Sequence, residues 1–220
     1  MSVSLQMHGS VAVVEFDDGN KNVINHDVLD ELEPIWAQAE EAGDAIVFKG
    51  REGSFCAGYD IKVMTGGDRE ASSRLGTRGG GLAARIHACP KPVVGLAQGH
   101  AFTIGLVWLA GCDVRIGEAG QYRLGMTEVA LGVPLSGWAL EPMRARVKRE
   151  HQFAALVHSR QYSPQEAVEV GYLDELVEAG LGLQAALAKA EALAALPAEA
   201  YRLTKLALRE GVLDIMNAQV

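Results

Sequence analysis

Glu128 is the residue of this chain best set for proton chemistry. Its neighbours Leu124, Met126, Val129, Ala130 and Leu131 are apolar. An acid among apolar groups loses solvation of its charged form, so its pKa climbs towards that of a base working near neutrality. Upstream, the apolar run Pro92-Val93-Val94-Gly95-Leu96-Ala97 enters a turn at Gln98-Gly99 and continues as an uncharged segment over residues 101–112. A strand that passes through a glycine turn into an apolar helix points unpaired backbone N–H groups into a pocket. The acid and these donors read as parts of one site.

Other chemistry-bearing residues carry weaker signals. His100 stands beside the glycine turn and reads as a hydrogen-bonded structural histidine rather than an acid. His8, His26, His87, His151 and His158 show no metal-ligand spacing, so no metal site is expected. Cys56, Cys89 and Cys112 are odd in number and set among apolar residues; they read as reduced, partly buried thiols. No G-x-G-x-x-G follows the first strand, so a Rossmann-type dinucleotide site is a poor fit.

The elements that must position these residues alternate between strand and helix. Residues 3–7 and 11–16 read as a strand hairpin. Helical spacing runs from Asp27 to Gly43, and a short buried strand follows at residues 45–48. Strand, helix, strand implies a crossover and a parallel sheet. Residues 54–64 read as a loop leading into a short helix. Residues 65–81 hold six glycines and no core pattern, and read as a mobile segment, with a helix only at residues 82–88. Strands are expected at residues 93–97, 114–117 and 122–124. Beyond Pro134 the pattern turns helical over residues 142–147 and 150–158. Ser163-Pro164 caps a helix that Gly171 stops. A strand at residues 173–177 is followed by helices at 181–195, 199–209 and 213–217.

Composition bounds the function. A chain of 220 residues with 49% hydrophobic and 22% charged residues can bury one sizeable core with a small appendage. A net charge of −8 and only 6% aromatics argue against nucleic acid as the main partner. Arg85, Lys91, Asp113 and Arg115 interrupt every apolar run short of the roughly 20 residues a membrane span needs. The N-terminus lacks a basic segment followed by an apolar stretch, so a cytoplasmic protein is the default expectation.

Several segments, taken together, resemble the crotonase superfamily, also called enoyl-CoA hydratase/isomerase. Residues 54–64, SFCAGYDIKVM, look like its oxyanion-loop motif. Lys91-Pro92-Val93-Val94 followed by Gly99 looks like its second oxyanion strand and turn. Cys112-Asp113-Val114-Arg115-Ile116 is similar to its CD-x-R-I segment. Residues 122–132 match the region holding a catalytic acid, and residues 163–174, SPQEAVEVGYLD, match the signature after it. The resemblance spans about residues 3 to 200.

That resemblance implies an α/β fold, with a repeated ββα spiral core over residues 1–195 and a short C-terminal helical region over 196–220 serving as a reduced lid or trimerisation part. It implies a homotrimer or dimer of trimers, and an acyl-CoA thioester as the partner molecule. Coenzyme A enters only as part of the substrate, with no separate cofactor. The backbone N–H groups of Tyr59 and Ile104 would bind the thioester oxygen, with Thr103 and Gly105 as alternatives for the second. Ala57, Phe102, Trp108, Met126, Leu135 and Trp138 would line the substrate site, and Lys62 would reach the CoA phosphates. Asp60 reads as a brace for the loop, and Asp113 as structural, paired with Arg115 or another nearby cation.

Hydratases of the family use two glutamates. The later one falls at Glu128 and the earlier at Val107, which cannot move a proton. The motif glycine-apolar-x-Glu-x-x-Leu-Gly at residues 125–132 is similar to that of the Δ3,Δ2-enoyl-CoA isomerase branch. The expected activity is therefore a double-bond shift with Glu128 as the only acid/base. Enoyl-CoA hydration, hydrolysis or decarboxylation on the same fold is the alternative, and a non-catalytic acyl-CoA binding subunit is a third.

Overall fold

Strands β1 (Val3–His8) and β2 (Val11–Phe16) pair antiparallel across the turn at Gly9 and Ser10, as the hairpin pattern predicts. In this computed structural model, which describes residues 3–219, β2 then opens a parallel array. The outer limits of the two expected parts, residues 1 and 220, lie outside the described residues. β4 (Ala45–Lys49), β7 (Val93–Ala97), β9 (Val114–Glu118) and β11 (Glu175–Val177) complete a six-stranded sheet in the order β1-β2-β4-β7-β9-β11. Every residue of β4 and β7 is buried, which is why both read as continuous apolar runs rather than alternating ones.

Each of β4, β7 and β9 is followed by a short strand in a second sheet. These are β5 (Gly53–Cys56), β8 (Gly99–Phe102) and β10 (Leu124–Gly125), all parallel, in the order β10-β8-β5. The small sheet thus repeats the order of the large one, and the chain climbs as a spiral of strand pairs. A third pair joins β3 (Val23–Ile24) to β6 (Gly58–Tyr59).

Helix α1 (His26–Ala42) starts where Asn25 Oδ1 accepts the Val28 N–H at 2.9 Å. After the short α2 (Ile61–Thr65) comes α3, which corrects the reading of residues 65–81 as mobile. Arg69–Ala88 is one 20-residue helix that runs straight through Gly79, Gly80 and Gly81. Asp68 caps it by accepting the Ala71 N–H. Arg78 pairs with Asp30 and Glu33 of α1, and Arg85 with Glu40. Leu75, Leu82, Ala83 and Ile86 are buried. Tertiary packing therefore overrides the poor helix propensity of glycine, and at Gly79 the missing side chain lets the Tyr59 ring approach closely.

α4 (Ile104–Gly111) is buried along its whole length. α5 (Gly137–Arg146) begins earlier than the pattern predicts. Residues 150–158 form a 3-10 turn (Arg149–His151) and a π-helical turn (Phe153–Val157) instead of an α-helix. α6 (Pro164–Val170) carries the expected cap, in which Ser163 and Glu166 satisfy one another's backbone N–H groups, and it ends at the left-handed Gly171. α7 (Gly182–Ala194) covers one face of the large sheet, placing Ala186 and Ala190 against Val13, Val47, Val94 and Ile116. The main core lies on the other face, under α1, α3, α4, α5 and the last helix, α8 (Ala198–Asn217). α8 is a single helix where two pieces were expected.

Asp113 takes the expected structural role, and of the two pairings expected for it the one with other nearby cations is formed. It lies just before β9 and accepts the Val93 N–H, and it pairs with Lys205 and Arg209 of α8 at 2.7 and 2.8 Å. Arg115, inside β9, faces the Gly171–Asp174 turn and pairs with Asp174. Arg209 and Arg146 also donate to the carbonyls of Gly111 and Ala110 at the C-terminal end of α4, where the helix dipole favours cations.

Candidate active site

Two chain segments meet where the small sheet gives way to helix. The first runs from Cys56 through Ala57 and Gly58 to Tyr59. Buried Asn22 holds its base, donating to the carbonyls of Phe16, Ser54 and Phe55. Gly58 takes a positive φ of 101°, which a side chain would strain. Asp60 Oδ1 then accepts the Lys62 N–H at 2.8 Å and starts α2. Asp60 therefore braces the loop, as expected.

The second segment leaves β8 and enters α4 through Thr103. This β-branched residue sits at φ 49° and ψ −120°, a sparsely populated conformation that persists only when its surroundings enforce it. Its N–H donates to Gly125 O at 3.2 Å. A Cβ on Gly58 would lie 2.5 Å from Thr103 Oγ1, so the two segments touch.

The pattern of occupied N–H groups around this contact is informative. On the first segment, Gly58 N–H donates to Cys56 Sγ at 3.4 Å and Asp60 N–H to Ile24 O at 2.8 Å. Because Ile24 O takes Asp60, the ladder between β3 and β6 turns the Tyr59 N–H to the opposite edge. On the second, Thr103 N–H is taken by Gly125 O. The Ile104 N–H, the first of its helix, has no acceptor inside the helix. Of the two alternatives, Thr103 is thus engaged elsewhere, while Gly105 packs against Cys56, where a Cβ would stand 3.2 Å from Sγ.

Glu128 arrives by the third turn of the spiral. Strand β10 lies beside β8 with Gly125 opposite Phe102, and the bond from Thr103 N–H to Gly125 O ties the chain before Glu128 to the start of α4. The buried Tyr172 hydroxyl donates to Ala155 O at 3.2 Å. After Glu128 a 3-10 turn (Val129–Leu131) folds back, with the N–H groups of Leu131 and Val133 on the Glu128 carbonyl at 2.9 Å each.

The Glu128 carboxyl is mostly buried, and its Oε2 has no hydrogen-bond partner among the described residues. Burial pushes its pKa up from 4.5 to about 7, opposed only by the backbone N–H groups of Glu128 itself and Thr127. No second charge contributes. The phenol of Tyr59 feels this carboxylate, although burial is the main reason its pKa is raised. The site can accept and return a proton near neutrality.

The remaining candidates divide. Trp108 and Met126 lie wholly inside the main core, and Trp108 donates its indole N–H to Gly79 O at 3.1 Å. Leu135 and Trp138 pack half-buried against that core. Phe102 is half-buried and stacks on His100, whose Nδ1 accepts the Arg123 N–H at 3.1 Å, the structural role expected of that histidine. Ala57 is half-buried, and Lys62 is exposed on α2. Val107 is buried in α4. The three cysteines are free and buried. No group of three His, Cys, Asp or Glu residues among those described could hold a metal.

The sequence reading did not single out Asn22 or Tyr172, took Cys56 for a plain buried thiol and named Thr103 only as an alternative donor. Asn22 sits in a polar loop like any other, and nothing local marks a threonine for left-handed backbone. Only the Gly58 and Gly105 positions hinted at close approach.

A family model for enoyl-CoA hydratase/isomerase matches residues 6–220. The chain belongs to the enoyl-CoA hydratase/isomerase family. It is 34% identical over 203 residues, 90% of this chain and 76% of the relative, to a probable enoyl-CoA hydratase of Bacillus subtilis. Its fold is that of crotonases: the enoyl-CoA hydratase EchA3 of Mycobacterium ulcerans superposes with a TM-score of 0.95 at 27% identity, over 100% of this chain and 96% of that one. An enoyl-CoA isomerase of Mycobacterium tuberculosis gives a TM-score of 0.94 at 29% identity, over 99% and 95% of the two chains. The enzymes of this family bind acyl-CoA thioesters. Among the described residues, no helix is long and apolar enough to cross a membrane.

Proposed function

We propose that this enzyme moves a carbon–carbon double bond in an enoyl-CoA from position 3 to position 2. Glu128 takes a proton from the carbon next to the thioester. The electron pair shifts into an enolate whose oxygen the Tyr59 and Ile104 N–H groups hold. Glu128 then returns the proton two carbons further along, and the double bond comes to rest in conjugation with the carbonyl. Fixed donors stabilise the enolate more than the ground state, each worth about 3–4 kcal/mol of barrier.

The observation that carries this reading is the isolation of Glu128. One mostly buried carboxyl, raised to about 7 with no second charge acting on it, is suited to shuttling a proton, while buried Val107 offers nothing to orient a water. The name of the Bacillus subtilis relative, a probable enoyl-CoA hydratase, favours hydration as the second reading. The proposal extends to a homotrimer or dimer of trimers in the cytoplasm, with Lys62 near the CoA phosphates.

Incubation with 3-enoyl-CoA and 2-enoyl-CoA, followed by conjugated-thioester absorbance, separates the readings. Isomerisation gains absorbance from the 3-enoyl substrate, and Glu128→Gln abolishes the gain. Loss of absorbance from the 2-enoyl substrate, dependent on Glu128, would establish hydration instead. CoA binding with neither reaction would overturn both.

A further inference from the structure

The segments carrying Tyr59 and Ile104 share one buried atom, the sulfur of Cys56. Cys56 is fully buried; its Sγ accepts the N–H of Gly58 at 3.4 Å, and Gly105 packs against it so closely that a Cβ there would stand 3.2 Å from Sγ. These are the residue just before Tyr59 and the residue just after Ile104. The backbone is drawn tight on both sides of the sulfur. A Cβ on Gly105 would stand 2.6 Å from Cys56 Cβ, and one on Gly58 would stand 2.5 Å from Thr103 Oγ1.

We infer that Cys56 is a positioning residue for the reaction, its sulfur setting the spacing and direction of the Tyr59 and Ile104 N–H groups. This rests on the proposed role of those two donors. A sulfur accepts at longer range than an oxygen. A thiol is therefore suited to holding a backbone N–H of its own segment while packing against another segment. With the Gly58 N–H held and Gly105 packed against the sulfur, the peptide planes on either side are oriented and the neighbouring donors are left facing outward. Burial lifts the thiol's pKa to about 12, so the group stays a neutral thiol and does no proton chemistry of its own.

Cys56→Ala removes the sulfur, leaving the Gly58 N–H without its acceptor and Gly105 without its packing partner. Cys56→Ser keeps an acceptor of shorter reach that fills less of the space against Gly105. Misplacement of a donor by about 1 Å costs on the order of 100-fold in rate. The expected result is a kcat lowered roughly 10- to 100-fold in Cys56→Ala and less in Cys56→Ser, with KM changed less than about twofold.

A spectroscopic readout keeps this apart from a purely structural role. The carbonyl stretch of a 13C-labelled 2-enoyl-CoA thioester should move to lower frequency on binding to the wild-type protein, since both N–H groups polarise it. The movement should shrink in Cys56→Ala. If the wild type shows no movement, the oxyanion role of Tyr59 and Ile104 fails, and the inference fails with it. If the wild type moves the band and both variants move it equally, only the role of Cys56 is overturned. Should Cys56→Ala not fold, Cys56→Ser alone decides by the same comparison.

Discussion

Gly58 and Thr103 are in such close contact that a single methyl group on Gly58 would overlap the threonine hydroxyl, with Cβ and Oγ1 only 2.5 Å apart. Both residues hold positive φ angles, 101° and 49°. Two unusual backbone conformations thus meet face to face, and the donors of Tyr59 and Ile104 lie on either side of the contact.

Gly58→Ala should therefore damage activity more than fold. The methyl group meets Thr103, and the alanine must hold a backbone conformation that costs about 1–3 kcal/mol. We expect a folded protein with a lowered melting temperature and a kcat reduced on the order of 100-fold. A variant with wild-type kcat would show that the contact does not govern the donors.

Glu128→Gln should lower kcat/KM on the 3-enoyl substrate by roughly 100- to 10,000-fold, the usual worth of a positioned acid/base. In the wild type, kcat/KM should fall as pH drops below about 7, because the free enzyme needs Glu128 ionised to take a proton. A flat profile between pH 5 and 8 would exclude Glu128 as the base.

Stability should depend on pH through two buried groups that pull in opposite directions. Glu128 has a folded-state pKa raised from 4.5 to about 7, so the folded protein binds the extra proton. Its contribution is fully present below 4.5 and is lost as pH rises through about 7. His87 is the reverse. Burial, then Arg209, Arg146 and Lys205, depress its pKa from 6.5 to about 3, so its contribution is present above 6.5 and is lost as pH falls towards about 3. The two slopes overlap between pH 4.5 and 6.5 and largely offset each other. Melting temperatures over that window should be nearly level in the wild type. They should fall with decreasing pH in Glu128→Gln and rise in His87→Asn.

Asp113→Asn should be strongly destabilising. Lys205 and Arg209 are buried around that carboxylate, and breaking such a pair leaves uncompensated charge costing about 3–5 kcal/mol. Denaturant unfolding checks this. A change below about 1 kcal/mol would mean that the carbonyls bonded to these cations suffice without the acid.

Much of the fold was legible because its signals are local. The β7 strand is a run of small and branched apolar residues ended by Gln98-Gly99. Ser163, Pro164 and Gly171 spell a helix start and stop within nine residues, and all three take their expected positions. α3 was not legible, because its stability comes from α1 through Arg78 and Arg85 and from packing over its glycines, against the preference of its own residues.

The site divides in the same way. The residue types alone determined that one carboxylate stands among apolar neighbours, that Val107 cannot move a proton, and that glycines flank the places where backbone must come close. Tertiary structure decided which N–H groups stay free, since that depends on Ile24, Gly125 and Cys56 taking the neighbouring ones. It also decided the pKa of Glu128, which is set by how much water the surrounding chain excludes. Periodicity and capping act between residues a few positions apart and can be read along the chain. Hydrogen-bond partners and desolvation are set by segments that meet only after folding.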